Sequence, residues 1–273
     1  MLQTCQRAGY KPALSRRERT DATSPALADL GRYRSGRAHA RPGPGQPAQG
    51  SIYVIVHGAW GGSWDWRRAD SILTAHGHRV YRPSLTGLGD RVHLASPTIG
   101  LLTHITDIVN VLVWEDLHDV ILVGHSYGGM VITGVADQVP QRIRHLIYLD
   151  AFLPDSGESV RTLARPEMVT LFDRFAGTGF VPPVWADSTA RIPKDVPQPL
   201  KTLTDPLILT NRSARRLPTT YILTEEPAQS PDPFAPFAAR AASRGWRVVR
   251  MEAGHVPNRT APIPLAALLE RLP

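Results

Sequence analysis

Cysteine is almost absent: Cys5 is the single one in 273 residues. No intrachain disulfide can form, so nothing in the sequence favours an oxidising compartment. No apolar run approaches the ~18 residues needed to span a bilayer, and no membrane partner is expected. Metal-ligand spacing is missing too. His76, His78, His93, His104, His118 and His145 are scattered, and they read as surface or core residues. There is no phosphate loop. Gly87 and Gly89 run into Asp90 and Arg91 with no third glycine, so there is no dinucleotide fingerprint either. No metal and no cofactor is expected. Lysine is scarce, with three residues against 28 arginines. Beside abundant Ala, Gly and Pro, that ratio fits a GC-rich genome better than selection for anion binding.

The net charge of +7 at first suggests a nucleic-acid partner, but its distribution argues otherwise. Residues 1–50 carry +6 of it, leaving the other 223 residues nearly neutral. No nucleic-acid partner is therefore expected. The first fifty residues end in ARPGPGQPAQG, a density of Pro and Gly that opposes helix and strand alike. They read as a disordered basic tail. One alternative stands beside a bland tail left by an upstream start codon: an Arg-rich, acid-poor organelle-targeting segment.

From Ser51 the chain alternates. Strands are expected at 51–56, 79–85, 119–123, 143–149, 219–224 and 246–252, each a short apolar run rich in β-branched residues. Helices are expected at 64–75, 98–115, 126–137, 234–243 and 264–271. In the second of these, Leu101, Leu102, Ile105, Ile108, Val109 and Leu112 follow helical spacing. Strands separated by helices cannot pair as hairpins. The expected fold class is therefore α/β: a mostly parallel six-stranded sheet with helices on both faces. Alternation breaks between about 151 and 217, where prolines recur and Phe172, Phe175, Phe180 and Trp185 cluster. In such sheets ligands sit beyond the C-terminal strand ends, so an insertion there reads as a cap.

Those strand ends carry the chemistry. His57-Gly58-Ala59-Trp60 follows the first strand and Gly124-His125-Ser126-Tyr127-Gly128 the third. Asp150 follows the fourth, Glu225 and Glu226 the fifth, and Gly254-His255 the sixth. A serine hydroxyl is a poor nucleophile until a base takes its proton. Gly124 and Gly128 permit the sharp strand-to-helix turn that lifts Ser126 clear of the sheet. His255 is the expected base, then acid, and a carboxylate is needed to orient its imidazole. His57 and His125 read as structural residues satisfied within their turns.

The segments VHGAWGGSWDW, LTGLGDR, VGHSYGGMV, IYLDAFLP and the late AGH resemble the α/β-hydrolase superfamily. More narrowly, they are similar to its bacterial carboxylesterases related to plant methylesterases and hydroxynitrile lyases. The resemblance covers residues 51–273, and the order Ser, acid, His is that of the superfamily. It implies an α/β-hydrolase fold with an oxyanion hole made by the backbone N–H groups of Tyr127 and Ala59, with Gly58 letting the first loop come close to a carbonyl. It leaves the acid open. The plant members place it after the fifth strand, where LTEEPAQSPD makes Glu226 the nearest match and Asp232 a further candidate. Bacterial members carry it in a YLDAF segment, which makes it Asp150, the favoured choice here. Hydroxynitrile lyases of the rubber-tree type carry a threonine in the first loop and a lysine after the histidine. Gly58 and Val256 stand in those places.

The expected activity is hydrolysis of small apolar or aromatic carboxylic esters through an acyl-enzyme. A hydroxynitrile-lyase-like enzyme or a thioester or lactone hydrolase is the alternative, and a small-ligand-binding protein with weak turnover the reading of another class. The cap offers no obvious cluster of fixed charge, which argues against a highly charged substrate. A small-molecule ester is the expected partner, a homodimer is plausible, and the expected location is the cytoplasm of a bacterium.

Overall fold

The computed structural model describes residues 50–226 and 232–273. The basic tail expected over residues 1–50 therefore lies outside the described residues except for Gly50. Element order is β1 (Ile52–Val56), α1 (Arg67–Ala75), β2 (Arg79–Tyr81), α2 (Leu101–Trp114), β3 (Val120–His125), α3 (Gly128–Gln138) and β4 (Ile143–Leu149). There follow α4 (Val160–Leu163), α5 (Pro166–Arg174), β5 (Phe180–Val181), β6 (Gln198–Pro199) and α6 (Lys201–Thr204). The chain closes with β7 (Thr219–Glu225), α7 (Ala235–Ser243), β8 (Arg247–Glu252), α8 (Pro257–Thr260) and α9 (Pro262–Arg271).

Six strands form one sheet in the order β2-β1-β3-β4-β7-β8, and every pairing in it is parallel. Period-two alternation splits each strand between two cores. Tyr53, Ile55, Ile121 and Val123 pack with Ala69 and Leu73 of α1 and Leu265 and Leu269 of α9. Val54, Val56, Leu122 and Leu146 pack on the other face with α2, α3 and α7. A strand buried on both faces cannot alternate with polar residues, which is why VILV in β3 is apolar throughout.

Element ends differ from the sequence reading for physical reasons. The second strand stops at Tyr81 rather than 85, because Pro83 has no N–H to give the ladder. The helix expected from 64 opens as a 3-10 turn over Ser63–Trp66 before α1. The third helix begins at Gly128 rather than Ser126, because Ser126 takes the left-handed region at φ 52°. The segment 151–217 is not structureless. It holds three short helices and the antiparallel pair β5–β6.

The chain leaves β1 toward β2 on one side, and β3 begins the run toward β8 on the other. The order thus reverses between β1 and β3, and their C-terminal ends open a crevice there. The loop after β1 and the turn after β3 meet in it.

Candidate active site

The turn after β3 is built by two close approaches. A Cβ on Gly128 would lie 2.6 Å from the Val56 carbonyl oxygen, and one on Gly124 would lie 2.7 Å from the Gly128 carbonyl oxygen. Only glycine lets the helix start this near the strand. Ser126 between them is held by its N–H on Leu149 O (3.2 Å), and its carbonyl accepts from Gly129 N and Phe152 N (3.1 Å each). A left-handed non-glycine residue costs roughly 1–3 kcal/mol and persists only when its surroundings dictate it. Trp60 (φ 63°) and Asp150 (φ 43°) share that conformation, so three such residues border the crevice.

His255 follows β8. Its Nε2 lies 3.1 Å from Ser126 Oγ, and its Nδ1 lies 2.6 Å from Asp150 Oδ2. With Nδ1–H donating to the carboxylate, Nε2 is left to accept the serine proton. The other Asp150 oxygen accepts from Thr224 N (3.1 Å), so this buried carboxylate is used on both sides. The turn after it is pinned by Tyr221, whose hydroxyl accepts from Ala151 N and donates to Ala151 O. Glu226, the alternative acid, is exposed, and Asp232 caps the N–H of Phe234 at 2.7 Å. Of the three candidate carboxylates, Asp150 is the one that meets His255.

Two rings enclose the imidazole. Phe234 stacks on it with centroids 4.6 Å apart at 10°. His125 lies on another side at 4.9 Å and donates Nε2–H to the His255 carbonyl at 2.7 Å. Burial and the neighbouring His255 hold His125 neutral, well below the usual histidine range. His57 is also buried and neutral: its Nδ1 donates to Gly58 O (2.7 Å) and its Nε2 accepts from Leu85 N (3.1 Å). It fastens the loop after β1 to the loop after β2. Both histidines are structural, as read from their glycine neighbours.

Gly58 packs against the elbow, its ideal Cβ position 3.2 Å from Ser126 Cβ. Ala59 and Tyr127 border the cavity that contains Ser126 and His255. Among the described residues neither backbone N–H has an acceptor. Free backbone donors lining the cavity of a serine hydroxyl are the kind of group that can receive a developing oxyanion.

The cavity measures about 590 Å³. One wall is apolar, with Val160, Leu163, Met168 and Phe172 from the inserted segment and Phe152 and Phe237 from the sheet side. Of the four aromatics noted there in the sequence, Phe172 and Trp185 reach the cavity, while Phe175 and Phe180 do not.

Charged side chains also line the cavity, in a cluster that joins Asp195 of the insert to residues outside it. Arg259 on α8 donates to Asp65 Oδ1 (2.5 Å) and Asp195 Oδ1 (2.6 Å), and its guanidinium lies 4.5 Å over the Trp64 ring. The two carboxylates raise the Arg259 pKa against the opposing effect of burial. Nothing in the sequence linked these three residues, which are up to 194 positions apart. The one available signal was Asp65 itself, an acid set between two tryptophans in SWDW.

No helix among the described residues is long and apolar enough to cross a membrane. Comparison with known proteins gives a consistent picture. The model of the alpha/beta hydrolase family matches residues 53–268. A carbendazim hydrolyzing esterase of a Nocardioides species is 40% identical over 236 residues, covering 77% of this chain and 96% of that protein. Salicylic acid-binding protein 2 of Nicotiana tabacum is 34% identical over 111 residues, covering 40% of this chain and 42% of that protein. Among solved structures, an extracellular alpha/beta-hydrolase from a Paenibacillus species superposes with a TM-score of 0.70. It is 27% identical, and the match covers 81% of this chain and 98% of that one.

Proposed function

The chain belongs to the alpha/beta hydrolase family and is a carboxylesterase of that type, and from there we propose that Ser126, His255 and Asp150 form its catalytic triad. The observation that carries this reading is the unbroken chain from Ser126 Oγ to His255 Nε2 (3.1 Å) and from His255 Nδ1 to Asp150 Oδ2 (2.6 Å). Ser126 attacks the ester carbonyl as His255 takes its proton. The N–H groups of Ala59 and Tyr127 receive the oxyanion, each worth roughly 3 kcal/mol in the transition state. His255 then gives its proton to the leaving alcohol. An acyl-enzyme on Ser126 remains, and water activated by the same histidine releases the acid and restores the serine.

The substrate is a small ester with an apolar or aromatic group, a reading supported by the apolar wall and by a cavity in the size range of small-ligand sites. Carbendazim, named for the Nocardioides relative, belongs in the panel of candidates for this chain. The protein works in the cytoplasm as a single chain or a homodimer. Cys5 as its lone cysteine is compatible with a reducing compartment.

The test is turnover of aryl and methyl esters by wild type and Ser126→Ala, with labelling by a serine-directed fluorophosphonate. Loss of both turnover and label in the variant is expected. Turnover that survives in Ser126→Ala overturns the triad.

A further inference from the structure

The inserted segment does more than wall the cavity. It reaches the loop that carries one candidate oxyanion donor, Ala59, through buried polar groups. Trp60, next to Ala59, makes three bonds to the insert. Its N–H donates to Gln198 Oε1 (2.9 Å), its indole N–H to Val181 O (2.8 Å), and its carbonyl accepts from Val196 N (2.8 Å). These contacts hold Trp60 in its left-handed conformation, and with it the Ala59–Trp60 peptide that directly follows the Ala59 N–H.

The chain of bonds continues inward. Gln198 Nε2 donates to Thr202 Oγ1 at 2.6 Å. Thr202 Oγ1 donates to the Pro199 carbonyl at 2.6 Å. The Tyr127 hydroxyl donates to His104 Nδ1 at 2.9 Å, and His104 Nε2–H donates to Thr86 O at 2.9 Å. Gln198, Thr202 and His104 are fully buried and Tyr127 almost so. Burial pushes the His104 pKa down to about 3, so the ring stays neutral and its tautomer is set by its two partners. Tyr127 is the residue whose N–H follows the serine. One chain therefore runs from the loop after β1 into β6 and α6 of the insert, and a second ties the elbow residue Tyr127 to α2 and the loop after β2.

We propose that Gln198 and Thr202 are positioning residues that hold the loop after β1 and so set the Ala59 N–H against the substrate oxyanion, so that the insert completes the oxyanion hole from behind. Buried polar groups left half-satisfied rearrange, and a shift well below 1 Å is enough to misalign a donor. The inference rests on the reading of Ala59 and Tyr127 as the oxyanion donors.

The experiment compares Thr202→Val, which keeps shape and removes the hydroxyl, with Thr202→Ser, which keeps the hydroxyl. Gln198→Met is the second site. Each is assayed on 4-nitrophenyl acetate and for inhibition by a trifluoromethyl ketone, whose tetrahedral adduct carries the oxyanion. Thr202→Val and Gln198→Met are expected to lower kcat about tenfold or more with KM within about twofold. They weaken ketone inhibition by a similar factor, and Thr202→Ser recovers most of the turnover. The double variant loses less than the product of the single losses, because both act on one chain. Unchanged kcat and ketone affinity in Thr202→Val overturn the inference, as does a loss in Thr202→Ser equal to that in Thr202→Val. If Gln198→Met does not fold, the Thr202 pair still decides. Turnover retained in Ser126→Ala removes the underlying reading instead. An inactive Ser126→Ala beside a fully active Thr202→Val removes this inference alone.

Discussion

The carboxylate of Asp150 meets Nδ1 of His255 at 2.6 Å across 105 positions of sequence. The two residues end β4 and follow β8, with β7 lying between those strands. The carboxylate spans that gap because Asp150 adopts φ 43°, which turns its side chain along the strand ends. Glu226, one residue past β7, is exposed to solvent.

Removing this contact separates the candidate acids. Asp150→Asn keeps the size of the side chain but offers an amide where His255 Nδ1–H needs an acceptor. A fall in kcat of about 10³–10⁴ is expected, by analogy with the same change in serine proteases. Glu226→Gln is expected to stay within about twofold of wild type. Steady-state turnover of one aryl ester by both variants checks the pair.

The elbow glycines limit stability as well as activity. In Gly128→Ala the new methyl meets backbone oxygens of Val56 and His57, which cannot swing aside as a flexible side chain would. A loss of about 2 kcal/mol or more is expected, with turnover falling alongside. Gly177→Ala is the control, since nothing lies within 4 Å of its added carbon. It should unfold within about 0.5 kcal/mol of wild type in urea.

Stability should depend on pH through the buried histidines. His57, His104 and His125 are all lowered by burial, His104 to about 3 from an ordinary 6.5. A group whose folded pKa is depressed gives stability that is present above its unfolded pKa and lost as pH falls toward its folded one. Below about 6.5 the unfolded chain binds these protons while the folded chain refuses them, so folding weakens. Each such histidine contributes at most ~1.4 kcal/mol per pH unit in that window. The thermal midpoint is expected to be flat above about pH 7 and to fall progressively below about 6. A midpoint that rises on acidification contradicts neutral burial.

The charged wall of the cavity gives a further test. Arg259→Leu leaves the nearly buried Asp65 carboxylate without its partner. Breaking a buried pair from one side is expected to cost about 3 kcal/mol, and adding Asp65→Asn should recover part of it. Urea unfolding of the single and double variants measures this. Asp195→Asn breaks the bond that joins α8 to the insert, so a rise in KM greater than the fall in kcat is expected there.

Much of this protein is determined by local sequence. Alternating apolar runs dictate parallel strands and covering helices, because a strand flanked by helices has no neighbour to pair with in a hairpin. A serine two residues from glycine on each side, between an apolar strand and a helix, has one compact arrangement, and the clash distances at Gly124 and Gly128 show why. Other features were decided only by the tertiary fold. Which carboxylate reaches His255 depends on strand order and on one left-handed residue, and neither leaves a periodic trace. The Asp65–Arg259–Asp195 cluster and the chain from Trp60 through Gln198 to Thr202 join loops that sequence spacing keeps apart. Local sequence is read through repeat and neighbour, whereas a buried polar network is set by which distant segments the packed sheet brings within 3 Å. That is why a candidate serine was legible in the glycine-flanked turn between strand and helix, while the groups positioned around it required the whole fold.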